Sequence, residues 1–255
     1  MSNRARGRIA ICVLLAAGLS ACALLAAGCG KEVPLAYDTS PENLVVEVSS
    51  RGGLPTPWVD NVPSFRLYGD GKVLKLAGEG AHEVLVEGRL DVERVKALLE
   101  QVREAGFFGL EDEYSDKGVM DGVTVKVAVN LKDETKTVSN YMVEVPKFAR
   151  TLEVLRSYPL GKTGTYVPEK GYLVVQREVE APENPQVPSP EAAALIPPGD
   201  RLEKAVTDHK AIEVDGQAFT ALKEWESAQK YVGADVQVDG TWYKVYPLYE
   251  PGRYL

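Results

Sequence analysis

Cysteine and histidine are nearly absent from the part of this chain that can fold. No cysteine follows Cys29, and the 255 residues contain only two histidines, His82 and His209. An internal disulfide and a zinc site built from cysteine are therefore excluded beyond Cys29. Two histidines far apart in sequence also argue against a zinc enzyme, and we expect neither a metal centre nor a cofactor.

An excess of positive charge is also missing. The chain has 29 Lys and Arg against 37 Asp and Glu, which gives a formal net charge of -8 at pH 7. Binding to phosphates through charge needs a surplus of cations, so we expect no nucleic-acid partner. The other proportions, 45% hydrophobic and 26% charged residues, are typical of a folded globular protein and exclude a disordered or collagen-like chain.

Recognisable catalytic motifs are missing as well. The sequence has no Gly-x-Ser-x-Gly elbow, no Walker sequence and no Gly-x-Gly-x-x-Gly, so nothing indicates a serine hydrolase or a nucleotide site. Glycoside hydrolysis needs two carboxylates in one cleft, and nothing in the sequence selects a pair from so many acids. We therefore name no catalytic residue.

The first 28 residues have the pattern of a bacterial lipoprotein signal peptide. Three arginines in the first eight residues precede an uncharged run, rich in Leu and Ala, at residues 9–28. Two small-small-Cys sequences, at residues 19–22 and 26–29, resemble the lipobox, whose cysteine is acylated. We expect an extracytoplasmic protein anchored to the bacterial cell membrane through its lipid.

Two cysteines compete for the lipid. Leu19, three residues before Cys22, and the shorter apolar run favour Cys22. Polar residues 30–32 favour Cys29, because lipidation of Cys22 would leave apolar residues 23–25 at the mature end. We predict Cys29 as the lipidated residue, with Cys22 as the alternative.

An uncleaved signal anchor is the alternative to lipidation. Residues 9–28 are just long enough to cross the roughly 30 Å apolar core of a bilayer as a helix. The arginines would stay in the cytoplasm and the rest of the chain would be exported in either case. Removal of residues 1–28 takes away three arginines and no acid, which changes the formal charge from -8 to -11.

Hydrophobic periodicity beyond the anchor predicts an α+β fold in two parts. A tether at residues 29–43 precedes an N-terminal α+β domain at residues 44–180, with an antiparallel sheet and helices on one side. A linker at residues 181–198 contains six prolines, too many for a helix or a central strand. Residues 199–255 form a small C-terminal subdomain, predicted as a strand, a helix and a hairpin.

Local signals place the individual elements. Asp-Gly pairs at residues 70–71 and 239–240 predict hairpin turns between alternating runs. Asp91 is a suitable N-cap for a helix that Gly106 ends. Strands are predicted at residues 44–48, 65–68, 73–76, 83–90, 123–129, 135–141, 172–176 and 211–214 and in the hairpin 234–246, and further helices at 148–155 and 217–230.

An acidic stretch at residues 111–122 is a candidate cation site. It contains five acids, and oxygen-rich loops can hold Ca²⁺. The spacing fails the EF-hand pattern, because the glycine is misplaced and no bidentate glutamate follows. We interpret the stretch as a solvated loop, and Asp112, Asp116 and Asp121 are the candidate ligands of the alternative.

Aromatic residues supply the candidate ligand contacts. Trp58 lies in a proline-rich loop, and Trp242 and Tyr243 belong to an aromatic cluster near the C-terminus. The simpler interpretation is that such rings fill the protein core. The functional alternative is an exposed aromatic platform for a glycan or a peptide.

Several short motifs resemble uncharacterised secreted proteins and lipoproteins of bacteria, especially actinobacteria. They are PSFRLYGDGKV at residues 63–73, AGFF at 105–108, Tyr114, DGVT at 121–124 and WYKVYPL at 242–248. The resemblance covers most of the chain beyond the tether and implies architecture and export. It implies no activity, because the motifs consist of turn and core residues.

The sequence therefore predicts a lipid-anchored cell-envelope protein without a catalytic role. Its expected partners are the membrane, through the lipid, and an envelope protein or glycan that it binds or scaffolds. An envelope hydrolase acting on wall polymer is the alternative. A third hypothesis is an exposed sheet edge that accepts a partner strand.

Overall fold

The computed structural model describes residues 33–52, 62–78, 83–228 and 233–249. The described residues from Leu35 onward belong to one compact unit. It contains two β-sheets with helices packed on them, which confirms the predicted α+β class. Within these ranges, the helices are all too short or too polar to cross a membrane.

The first sheet is formed by the N-terminal part of the unit, up to Thr165. Its strands are β1 (Leu44–Gly52), β2 (Phe65–Tyr68), β3 (Lys72–Ala77), β4 (Val84–Arg89), β5 (Glu113–Ser115), β6 (Val123–Asn130), β7 (Thr135–Tyr141) and β8 (Gly164–Thr165). Their spatial order is β5-β7-β6-β1-β2-β3-β4-β8. Neighbouring strands are antiparallel except β5 and β7, which are parallel.

One face of this sheet carries most of the core. Val46 lies opposite Leu67 and Val129, and Val48 lies opposite Phe65, so these fully buried side chains share one face. Two helices also bury apolar faces, α1 (Val92–Glu104) and α2 (Pro146–Ser157). The two helices contact each other.

Helix α1 begins and ends at the residues that the sequence indicates. The carboxylate of Asp91 accepts a hydrogen bond from the Arg94 amide at 2.8 Å. Such a cap satisfies one of the free amides of the first turn. After the C-cap, Gly106 has φ 87°, a left-handed conformation that favours glycine.

The second sheet has four antiparallel strands in the order β10-β9-β12-β11. The strands are β9 (Lys170–Arg177), β10 (Ile212–Asp215), β11 (Ala234–Val238) and β12 (Thr241–Leu248), and the helices are α3 (Pro190–Ala193), α4 (Gly199–Asp208) and α5 (Gly216–Ser227). The sequence analysis predicts no helix at the position of α4. The predicted hairpin turn is present, with positive φ at Asp239 and Gly240.

Strand β9 belongs to the second sheet, although it precedes the proline-rich segment. It pairs with β10 on one side and β12 on the other. The chain therefore passes from the first sheet to the second between Thr165 of β8 and Lys170 of β9. The proline-rich segment at residues 181–198 connects two elements of the second sheet layer, β9 and α4.

The proline-rich segment is fastened to the edge strand β11. The Gln186 amide donates to the carboxylate of Asp235 at 2.6 Å, and the Asp235 amide donates to the Gln186 carbonyl at 2.9 Å. Asp235 is only 2% exposed and also accepts from the Lys244 ammonium at 3.2 Å. The expectation that this segment contains no helix is wrong, because α3 begins with Pro190, and proline is tolerated in a first helical turn.

Four buried side chains join the two sheets in a seam. Leu74 and Leu85, on the outer face of β3 and β4, pack with Phe219 of α5 and with Tyr249. The Tyr249 hydroxyl accepts a hydrogen bond from the Leu85 amide at 3.1 Å. Gly171 leaves room for the Phe219 ring, since a Cβ at this position would lie 2.0 Å from Phe219 Cγ.

The end of the predicted tether is part of the folded body. The Lys132 amide donates to the Ala36 carbonyl at 2.8 Å, and the Gly69 amide donates to the Asn43 carbonyl at 2.8 Å. Tyr37 is 7% exposed. Residues of the predicted tether are therefore bonded to the folded body before β1 begins.

We expect Leu74→Ala to destabilise both sheets together. The substitution removes buried apolar contacts from the seam and should cost about 2–5 kcal/mol of unfolding free energy. Urea denaturation followed by circular dichroism and by tryptophan fluorescence should show the same lowered midpoint. Val167→Ala, at a side chain that is 51% exposed, is the control with little effect. Different midpoints for the two probes would show that the sheets unfold independently.

Candidate functional site

Several predicted site residues lie outside the described ranges. These are both candidate lipidation sites, Cys22 and Cys29, and the exposed-loop candidate Trp58. Their roles stay predictions. The remaining candidates, the three acids and Trp242 with Tyr243, can be placed.

The three candidate cation ligands do not converge on one point. Asp112 pairs with the Lys136 ammonium at 2.6 Å, and Asp116 accepts a hydrogen bond from the Gly118 amide at 2.8 Å. Asp121 is exposed, with φ 57°. Among the described residues, no group of three or more His, Cys, Asp or Glu side chains could hold a metal ion. The stretch forms turns and the short strand β5.

Trp242 and Tyr243 point to opposite faces of β12, because successive side chains of a strand alternate. Tyr243 is 2% exposed and belongs to the core between the second sheet and its helices. Its hydroxyl donates to the Glu203 carboxylate at 2.7 Å. Burial is the main cause that raises the pKa of Tyr243, and the hydrogen bond to Glu203 raises it further. Tyr243 is therefore a core residue, and only Trp242 is placed to contact a ligand.

Trp242 lies in an open groove where β9 ends and β12 begins. The groove has a volume of about 640 Å³ and is lined by residues 177–181 on one side and by residues 240–242 on the other. The Glu178 amide donates to the Trp242 carbonyl at 2.9 Å, which keeps the two walls together. Trp242 itself is half-buried, so part of its indole is available.

Both signs of charge are present in this groove. Arg177, Glu178 and Glu180 line it beside the Thr241 hydroxyl and the aliphatic side chain of Val179, which is 98% exposed. Arg177 also reaches the Glu203 carboxylate, at 3.5 Å. Arg177 pairs with Tyr243 and therefore shares its face of the sheet, so the charged groups beside the indole are the carboxylates.

The sequence indicates Trp242 as a candidate contact, but it gives no indication of residues 177–181, which form the opposite wall of the groove. Residues 177–181 (REVEA) belong to no motif, and they contact Trp242 only because β9 pairs with β12 across a long stretch of sequence. The proximity of Arg177 to Glu203 likewise depends on how α4 packs on β9. No local signal identifies either contact.

Three carboxyl groups elsewhere are held in their charged form. Hydrogen bonds from the Ser40 amide and hydroxyl lower the pKa of Asp38, and bonds from its own amide and from Ser189 lower the pKa of Glu191. Burial opposes ionisation of Asp70, but hydrogen bonds from the Lys72 amide and from Arg89 outweigh it and lower its pKa. A general acid needs a raised pKa. These three carboxylates instead accept hydrogen bonds in turns and in the first turn of a helix.

No protein-family model, curated protein or solved structure matches the chain. The resemblance to secreted bacterial lipoproteins therefore stays a prediction from short motifs.

Tyr246, on β12, is a tyrosine whose ionisation the fold strongly opposes. Burial raises its pKa to about 12, with help from the negative charges of Glu178, Asp235 and Glu226. The side chain is 7% exposed. The neutral hydroxyl is therefore the form that the fold accommodates.

We expect alkaline loss of stability to depend on Tyr246. An unfolded tyrosine ionises near pH 10, so this contribution to stability is complete below about pH 10. It is lost as the pH rises through about 12. Tyr246→Phe should lose less stability than wild type between about pH 10 and 12, measured as urea midpoints. Tyr114→Phe is the control, and equal losses in wild type and Tyr246→Phe would contradict the assignment.

Proposed function

We propose that the protein is a lipid-anchored, extracytoplasmic binding protein of the cell envelope, without a catalytic role. The groove beside Trp242 is its ligand site, and a wall glycan is the ligand class. The observation that carries this assignment is the combination of a half-buried indole with charged hydrogen-bonding side chains in one open groove.

The composition of the groove favours a glycan. A sugar ring presents an apolar face and a rim of hydroxyl groups, so a site for it needs an aromatic surface beside donors and acceptors. Trp242 supplies the surface, and Glu178 and Glu180 supply acceptors for the hydroxyl groups. The groove is wide and open, which suits a polymer that passes through it.

A short connection to the membrane suits a protein that acts at the envelope. Seven residues lead from Cys29 to Ala36, which among the described residues is the first whose backbone is bonded to the sheet body. Fully extended, seven residues span at most about 25 Å. A lipid on Cys29 would therefore keep the folded body near the membrane surface.

One observation favours the hydrolase alternative. Two carboxylates, Glu178 and Glu180, line the same groove, and glycosidases use a pair of carboxylates. Under this alternative, the protein releases new reducing ends from wall polymer, and Glu178→Gln or Glu180→Gln abolishes the release. The binding proposal expects no release by the wild-type protein.

We expect Trp242→Ala to weaken glycan binding at least tenfold, equivalent to about 1.4 kcal/mol. The measurement is isothermal titration calorimetry with soluble peptidoglycan fragments released by a muramidase. Trp242→Phe keeps an aromatic face and should bind with intermediate affinity, and Val187→Ala, a 58% exposed position outside the groove, should bind as wild type. Equal affinities for Trp242→Ala and wild type would place the ligand elsewhere.

We expect Cys29→Ala to abolish acylation and Cys22→Ala to leave it intact. The measurement is incorporation of an alkyne-tagged fatty acid in growing cells, followed by separation of membrane and soluble fractions. Loss of label only in Cys22→Ala would assign the lipid to Cys22. A membrane-bound wild type without label would instead indicate an uncleaved signal anchor.

A further inference from the structure

The neighbours of the Trp242 indole are set by strand register on both sides. Gln237 of β11 lies directly opposite Trp242. On the other side, Arg177 of β9 pairs with Tyr243. One position further, the Glu178 amide donates to the Trp242 carbonyl at 2.9 Å, so these two residues are also opposite each other. Directly opposite residues share a face, with Cβ atoms about 4.5–5.5 Å apart. The indole is therefore flanked by a carboxylate and by an amide.

The carboxylates in and beside the groove have no counter-ion within the described part of the chain. Glu178 is half-buried and Glu180 is exposed, and both line the groove. A third, Asp239, is exposed in the turn next to Gly240 of the groove wall. None of the three forms an ion pair with another described residue. Their negative charges are therefore available to a ligand.

The cations of the same region already have partners. Arg177 lines the groove from the opposite face of the sheet, and its guanidinium lies 3.5 Å from the Glu203 carboxylate. Lys244 shares the face of Trp242, two residues along β12, and its ammonium lies 3.2 Å from the Asp235 carboxylate. Neither cation neutralises the groove carboxylates, because each is matched by a carboxylate of its own.

Helix α4 adds no net charge beside the turn. Its first residue, Gly199, packs against the end of β11, since an added Cβ would lie 2.8 Å from Val238 Cγ1 and 3.2 Å from an Asp239 carboxylate oxygen. The next two residues, Asp200 and Arg201, carry opposite charges. The surroundings of the indole therefore stay negative when this helix is included.

We propose that the groove selects a wall glycan whose amino sugar carries a free ammonium group, an inference that rests on the glycan-binding function proposed above. The sugar ring lies on the indole of Trp242, and its ammonium group points toward Glu178 and Glu180. The face of an indole attracts a cation, and a carboxylate forms a charge-assisted hydrogen bond with it. Gln237, on the other side of the indole, is neutral and suits a hydroxyl group of the sugar.

Acetylation of the amine is the property that the groove distinguishes. An N-acetylated sugar has the same ring and the same hydroxyl groups, but its amide nitrogen carries no charge. It can lie on the indole, yet it leaves the carboxylates of Glu178 and Glu180 without a cation. An anionic polymer is repelled by the same carboxylates. The free amine should therefore raise the affinity of a glycan for this site.

The experiment uses the full chain in detergent micelles and two oligosaccharides of equal length. One is a β-1,4-linked oligomer of glucosamine, and the other is the same oligomer with every amine acetylated. Isothermal titration calorimetry is performed at a pH below the pKa of the amine. We expect wild type to bind the free-amine oligomer at least about tenfold more tightly than the acetylated one, since each tenfold in affinity needs only one good additional interaction.

Paired variants separate local charge from net charge. Glu178→Gln with Glu180→Gln keeps the shape of both side chains and should abolish the preference for the free amine. Glu144→Gln with Glu153→Gln makes the same change in net charge at two exposed positions outside the groove, and it should keep the preference. Trp242→Ala should weaken binding of both oligomers, because both place a sugar ring on the indole.

The outcomes distinguish this proposal from the proposed function. Equal affinities of wild type for the two oligomers, or a preference that survives Glu178→Gln with Glu180→Gln, would overturn the selection of an ammonium group and leave glycan binding in place. If neither oligomer binds, the ammonium proposal fails, and the peptidoglycan fragments then decide whether the groove binds glycan at all. Oligolysine of matched charge should bind more weakly than the free-amine oligomer. Equal binding of oligolysine would show attraction of any polycation and would also overturn the proposal.

Discussion

Burial of Phe219 and Tyr249 against Leu74 and Leu85 is the contact on which the rest of the molecule depends. The second sheet has four strands and three short helices, and a body of that size has only a small core of its own. Packing α5 on the outer face of β3 and β4 adds buried apolar surface to it. The absent side chain of Gly171 makes this approach possible.

The seam also decides which surfaces stay open. It lies where β9 begins and β12 ends, so the opposite ends of these two strands are free to form the groove at Arg177 and Trp242. The edge of β11 is covered instead, because the backbone of Gln186 and the side chain of Asp235 fasten the proline-rich segment there. Edge protection of this kind removes a site for unwanted strand pairing, and it counts against strand addition at β11.

Elements whose signals are local could be predicted from the sequence. The Asp91 cap, the glycine at position 106 and the two Asp-Gly turns act within a few residues, so α1 and both hairpins follow from local chemistry. Helix α4 was missed, because it follows directly after the prolines at residues 197–198. The acids at residues 111–122 could not be assigned either, since a cation site depends on convergence in space.

The sequence by itself determined the α+β class and the order of most elements, because periodicity, caps and turns are properties of neighbouring residues. Tertiary structure alone decided that β9 joins the second sheet and that Tyr243 is buried while Trp242 lines a groove. Each of these outcomes depends on strand pairing between distant residues, which no local signal specifies.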